Sequence, residues 1–214
     1  MPALRRRGGR GAARLRRALA TLPALLLAGA GASALAQQTP IVERFEACLA
    51  CHGPGGVSRL ALTPSLAGQH SFYAITQLFL FRQGRRDNEA MAAVAKGMTD
   101  TDLRGFSELI AKLPASTVAA DTPADAARVT AGQALAQRFR CGSCHGADYE
   151  GGQQVPRIAG QREDYLQKAL AEFNAGRRIG YTSAMNEVMV GIQPAEIGDL
   201  AHYLAHLPKA VGAR

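Results

Sequence analysis

The sequence predicts an all-α chain: two tandem helical domains behind an export leader. Three observations predict it. Apolar residues recur at helical spacing, as in Leu103, Phe106, Ile110 and Leu113, and again in Ile197, Leu200, Leu204 and Leu207, with no alternating strand pattern anywhere. A block of sequence is repeated at an offset of 92 to 94 residues. Each copy begins with the same C-x-x-C-H pentad. At 214 residues and 47% apolar content, the chain is long enough for two small domains and too apolar for disorder.

The leader comes first. Seven arginines crowd the first seventeen residues, and nineteen uncharged residues follow, from Ala18 to Ala36, containing Leu25-Leu26-Leu27 and ending in Ala34-Leu35-Ala36. A basic n-region, an apolar h-region and an A-x-A end describe a secretory signal peptide over 1–36, cleaved after Ala36. A retained anchor is the alternative, since a span needs ~20 apolar residues. Pro23, Gly29, Gly31 and Ser33 weaken such a helix. Those seven arginines account for all but one unit of the formal net charge of +8. The remaining Lys and Arg are balanced by acids, so the folded body has no basic footprint for nucleic acid.

Four cysteines in an exported chain would ordinarily suggest disulfides. Their spacing says otherwise. They fall as Cys48-Leu49-Ala50-Cys51-His52 and Cys141-Gly142-Ser143-Cys144-His145, which read as attachment sites for two covalently bound haem c groups. Two thiols add across the two porphyrin vinyl groups, and the following His is placed as an axial ligand of the iron. A redox C-x-x-C needs no His, and a structural zinc site would need both pairs to converge on one ion. Only 6% of residues are aromatic and Trp is absent, so a porphyrin would supply apolar bulk that side chains do not.

After each pentad the halves can be superposed. Pro64-Ser65-Leu66-Ala67-Gly68-Gln69 matches Pro156-Arg157-Ile158-Ala159-Gly160-Gln161, Tyr73 matches Tyr165, and Gly84-Arg85-Arg86 matches Gly176-Arg177-Arg178. The expected domains are 37–114 and 126–214, joined by a linker over 115–125. Each should hold a helix ending just before its pentad, near Ala47 or Arg140. A middle helix follows, about Phe72 to Gln83 or Glu163 to Ala175, stopped by Gly84 or Gly176. The last helix opens at Thr99 with Asp102 three residues on, or at Pro194. In the first half, Glu43 to Ala47 allows only a brief opening helix unless it extends back toward Gln37.

The repeat also selects the second iron ligand. Met91 lies eight residues before Thr99 and Met185 eight before Gln193, at the entry to the matched last helices. They are counterparts, so His52 with Met91 and His145 with Met185 are the expected iron ligands. Met98 and Met189 have no methionine counterpart and read as core packing. His70 has no His counterpart and is a weak rival. His202 and His206 fall about 140° from the apolar stripe of their helix, which predicts solvent exposure. The Pro64 and Pro156 carbonyls are candidate acceptors for the proximal imidazoles, or mere turns. Tyr73, Tyr165, Arg85, Arg86, Arg177 and Arg178 are either contacts to haem propionates or solvated surface.

With these motifs in place, the chain resembles the dihaem cytochrome c4 family over nearly all of 37–214. The resemblance implies two cytochrome c-like helical domains, each wrapped around one covalent haem and facing the other across a pseudo-twofold axis. It implies a periplasmic electron carrier rather than an enzyme. Its partners would be redox proteins, donor and acceptor, passing electrons from a quinol-oxidising complex to a terminal oxidase, with peripheral association with membrane complexes. The alternative is the electron-accepting cytochrome subunit of a periplasmic dehydrogenase such as a flavocytochrome. A dihaem peroxidase would need one iron open to peroxide, which two matched methionines oppose.

Overall fold

The computed structural model describes residues 39–115, 123–178 and 183–207. The expected leader and the middle of the expected linker lie outside them. The described residues are helical, apart from one isolated bridge between Gly152 and Val155. None of their helices is long and apolar enough to cross a membrane.

The first half contains α1 (Ile41–His52), α2 (Ser71–Arg82), α3 (Glu89–Ala95) and α4 (Asp100–Lys112), with a 3-10 turn at Pro54–Gly56 after α1. The second half contains α5 (Ala126–Arg138), α6 (Gly142–His145), α7 (Glu163–Asn174), α8 (Ala184–Val190) and α9 (Ile197–Ala205), with a 3-10 turn at Pro194–Glu196 leading into α9. The halves pack alike. The last helix crosses the first and the middle one, and the middle helix carries the short methionine-bearing one.

Start and stop chemistry places these helices. Thr99 and Asp102 form a reciprocal capping box at α4, Thr99 N–H donating to Asp102 Oδ2 at 2.8 Å and Asp102 N–H to Thr99 Oγ1 at 3.1 Å. Gly84 and Gly176 end α2 and α7 at φ 63° and 67°, the left-handed region that glycine enters without strain. The Arg85 and Arg177 N–H groups then close onto the Leu80 and Glu172 carbonyls at 2.8 and 2.9 Å. Both G-R-R motifs are therefore helix stops that aim the second arginine.

The opening helices depart from expectation in opposite ways. α1 does not end near Ala47 but runs on through the pentad to His52, because nothing in Cys48-Leu49-Ala50-Cys51 breaks a helix and Cys48 and Leu49 continue its apolar face. In the second half α5 stops at Arg138, Arg140 turns to φ 52°, and α6 restarts within the pentad. Gly132 lets α5 and α9 approach so closely that a Cβ there would overlap the Asp199 carbonyl oxygen and Tyr203 Cβ.

Two cores result. Phe45, Ala74, Leu78, Leu103, Phe106 and Ile110 fill the first, and Leu135, Leu166, Leu170, Met189, Ile192, Leu200 and Leu204 are among those filling the second. A reciprocal clamp joins the halves. The Gln69 side chain donates to the Arg157 carbonyl at 2.7 Å and accepts from the Arg157 N–H at 3.2 Å. Its repeat counterpart Gln161 does the same to Ser65, at 2.9 and 2.8 Å. All four groups are buried, so each glutamine satisfies a peptide unit of the opposite half as a strand partner would.

Candidate haem sites

The cysteine pairs sit where helix geometry presents them on one face. Cys48 and Cys141 are half-buried against the two cores, while Cys51 and Cys144 are exposed, and no cysteine is paired with another. Burial pushes the Cys48 and Cys141 thiols up.

Each pentad histidine is buried and held by the proline carbonyl expected for it. His52 Nδ1 lies 2.8 Å from the Pro64 oxygen and His145 Nδ1 2.9 Å from the Pro156 oxygen. A carbonyl only accepts, so Nδ1 donates and Nε2 keeps its lone pair in the neutral ring. Burial is the main cause that lowers both imidazoles below their ordinary pKa, outweighing the carbonyls; at His52 the Arg86 charge lowers it further. Neutral rings with a fixed tautomer suit metal ligation at Nε2.

In the first half both methionines border the core, whereas in the second one borders it and the other fills it. Met91 and Cys48 both pack against the first core, and Met185 and Cys141 both against the second. Asn88 positions Met91, its Oδ1 accepting from the Met91 N–H at 2.9 Å as the N-cap of α3. α8, which carries Met185, is tied to the end of α7. Asn174 Nδ2 donates to the Met189 and Ile192 carbonyls at 2.6 and 2.8 Å, and Asn186 Nδ2 to the Arg178 carbonyl at 2.9 Å. Met189 is fully buried in the second core, and Met98 packs against the first. His70 is engaged elsewhere, its Nε2 lying 2.9 Å from the Glu150 carbonyl oxygen.

Between the halves, Arg86 Nη2 donates to the Tyr165 hydroxyl at 2.8 Å, and Arg178 Nη2 to the Tyr73 hydroxyl at 3.1 Å. The pairs are crossed, each arginine reaching the tyrosine of the other half. Arg178 also reaches Tyr165, at 3.4 Å. Arg85 and Arg177 are exposed and take no part in this crossing. Burial pushes the Tyr73 phenol up; at Tyr165 the same push is more than reversed by Arg178 and Arg86. Arg178 is buried with its Nε unpartnered, and no carboxylate oxygen hydrogen-bonds to either guanidinium among the described residues. Two guanidiniums with no carboxylate hydrogen-bonded to them, although Glu172 acts on Arg178 from a distance, occur in a chain with two C-x-x-C-H motifs and fixed imidazoles, and fit a group that brings its own carboxylates, as a haem does.

His202 and His206 correct the helical-wheel expectation. His202 is 1% exposed, since α9 is covered on both sides by α5 and α7. Its Nε2 accepts from the Asp125 N–H at 2.9 Å, and its Nδ1 lies 2.9 Å from Glu163 Oε2. Glu163, His202 and His206 bring three possible ligand atoms together. Arg128 Nη2 is 3.0 Å from Glu163 and already supplies the positive charge there. The sequence signal for this cluster was Asp125, an N-cap residue at the start of α5, facing a polar stripe on α9.

The cytochrome c family profile matches residues 129–208. A cytochrome c4 from Thiocapsa roseopersicina is 33% identical over 171 residues, covering 75% of this chain and 86% of that protein. The chain belongs to the cytochrome c4 family. A thiosulfate dehydrogenase electron acceptor from Thiomonas intermedia is 31% identical over 201 residues, covering 89% of this chain and 90% of the relative. The crystal structure of reduced recombinant cytochrome c4 from Pseudomonas stutzeri superposes with a TM-score of 0.70 at 26% identity, covering 78% and 96% of the two chains. The chain is thus a dihaem c-type cytochrome and an electron-transfer protein, with its two haem c groups at the Cys48–His52 and Cys141–His145 motifs.

Proposed function

We propose that the protein is a periplasmic electron carrier that takes electrons from a quinol-oxidising complex and delivers them to a terminal oxidase. The observation that carries this reading is the matched pair of imidazoles held on prolyl carbonyls, each in a domain whose core also holds a methionine. Haem supplies one-electron exchange between ferrous and ferric iron. His52 and His145 would hold the iron through Nε2, and Met91 and Met185 would supply its second protein ligand, which would exclude water and substrate. The thioether favours the ferrous state and raises the potential relative to two nitrogen ligands. The domains are read as 37–114 and 126–214, joined by 115–125, with the 1–36 leader removed on export.

The test is a redox titration of the purified holoprotein with optical and paramagnetic spectra. Two low-spin His/Met centres are expected. A high-spin centre, or carbon monoxide binding at neutral pH, would exclude the carrier assignment in favour of ligand chemistry at an open iron.

The Thiomonas relative favours a second reading, the electron-accepting subunit of a periplasmic dehydrogenase. Co-purification with a catalytic subunit from the native cell would establish it. Elution as a free dihaem protein would support the shuttle.

A further inference from the structure

The crossed arginine–tyrosine pairs lie in the seam between the two halves, each half giving one arginine and one tyrosine. Each arginine is fixed in one half by a helix stop and by an aromatic ring below it. Arg86 lies over Phe81 with 4.4 Å to the ring centroid, and Arg178 over Phe173 with 4.7 Å. Its hydrogen bond ends in the other half. Arg86 also stands within Coulomb range of His52, while Arg178 shares its backbone carbonyl with Asn186, next to Met185. One guanidinium therefore senses the first candidate iron site and touches the second half. The other touches the first half, and its own backbone carbonyl is tied to the residue that follows Met185.

We propose that Arg86, Arg178, Tyr73 and Tyr165 form the element through which the oxidation state of one haem sets the reduction potential of the other. When an electron moves from one iron to the other, the first gains a unit of positive charge and the second loses one. No outside reactant enters. In a half-buried seam such a change is less screened than in water, and charge-assisted hydrogen bonds that cross it are the groups best placed to respond. The response crosses the seam because each donor and its acceptor belong to different halves. The arrangement is also uneven. Tyr165 accepts from both arginines and Tyr73 from one. Gln77 holds the other end of Arg86 at 2.7 Å, whereas Arg178 leaves Nε unpartnered. Tyr165 is therefore the centre of the coupling, and Arg178 the less constrained of the two cations.

This inference rests on the electron-carrier reading, and its test separates the two. Potentiometric titration of the full-length holoprotein is compared with that of Tyr165→Phe and Tyr73→Phe. Tyr165→Phe is expected to change the equilibrium constant for electron exchange between the haems by roughly threefold to tenfold, the net worth of one ordinary hydrogen bond, and Tyr73→Phe by less. An unchanged separation of the two potentials in Tyr165→Phe, with two haems bound and His/Met spectra intact, would overturn the coupling and leave the carrier reading standing. A larger effect from Tyr73→Phe would overturn it as well. If Tyr165→Phe does not fold, Arg86→Lys, which keeps the charge and removes the planar fork, is read in the same way against Arg85→Lys at the exposed neighbour. Loss of His/Met spectra in the wild-type protein would instead sink the carrier reading.

Discussion

The two halves share a plan and differ in how they hold their first helix. In the first half α1 is continuous through the pentad, and a small residue on the last helix, Gly105, faces the end of the Ile41 side chain. In the second half the helix breaks at Arg140, and the small residue is Gly132 on the first helix, against the α9 backbone. Polar chemistry differs too. The first half buries one ion pair, Arg44 with Asp102 at 2.6 Å. The second places Arg128, Glu163, Asp199 and His202 in one cluster. What is common to both is the part proposed to face iron, together with the seam: the histidine on its prolyl carbonyl, the methionine helix, the clamp glutamine and the G-R-R stop. The helix contacts behind that part differ, so more than one packing supports the same front.

The largest expected effects fall on the shared front. Met91→Ala and Met185→Ala should each leave two haems attached, open one iron to carbon monoxide, and lower that haem's potential on the order of 0.1 V or more, within the ~0.8 V that axial ligation spans. Optical titration that resolves the two centres checks this. If both variants disturb the same centre, the halves are not independently ligated. The next effect falls where the halves differ. Gly132→Ala should destabilise the second half by about 3 kcal/mol, because rigid backbone blocks the new methyl group. Gly105→Ala should stay within about 1 kcal/mol, because Ile41 Cδ1 can rotate away and alanine favours the helix. Thermal unfolding of the holoprotein compares them, and equal losses would contradict the claim that the two helix crossings differ.

The seam should behave symmetrically instead. Gln69→Ala and Gln161→Ala each strand a buried peptide N–H and carbonyl of the other half, and each should cost about 2 kcal/mol from that clamp, to which Gln161→Ala adds the loss of the Arg162 N–H bond at 3.0 Å. A marked inequality beyond that bond in denaturant unfolding would show that one clamp is redundant.

Much of this front was legible because it is local. The pentads declare themselves by spacing, and the offset of the repeat pairs Met91 with Met185 as the proposed second ligands. Thr99 and Asp102 mark a helix start within four residues. The middle helices begin and end within a residue or so of the positions that periodicity and glycine suggested. What escaped is non-local. The glutamine of the repeated P-x-[LI]-A-G-Q was visible, yet its partners lie 88 and 96 residues away, and no periodicity links them. His202 was assigned to solvent because a helical wheel sees one helix, and α9 is enclosed by two. The course of α1 through its pentad, and the break in α5 before its own, depend on tertiary packing and on the single left-handed residue at Arg140, which lacks the usual glycine.

The smallest effect is the pH dependence that Asp102 contributes in the first half. The Arg44 guanidinium beside Asp102 is the main cause holding its carboxyl down, to about 2 against an ordinary 3.8, with Thr99 adding its own bonds. A depressed folded-state pKa means that the stabilisation is complete above the unfolded value and is lost as pH falls from about 4 toward 2. Asp102→Asn should therefore lose about 1 to 2 kcal/mol at neutral pH and flatten the acid limb of the stability curve over that window. The matching box in the second half, Gln193 with Glu196, is exposed, so Glu196→Gln should change stability by less than ~0.5 kcal/mol. Acid titration of unfolding for both variants tests the contrast. Identical acid limbs in Asp102→Asn and the parent would mean that the Arg44–Asp102 pair adds nothing to the fold.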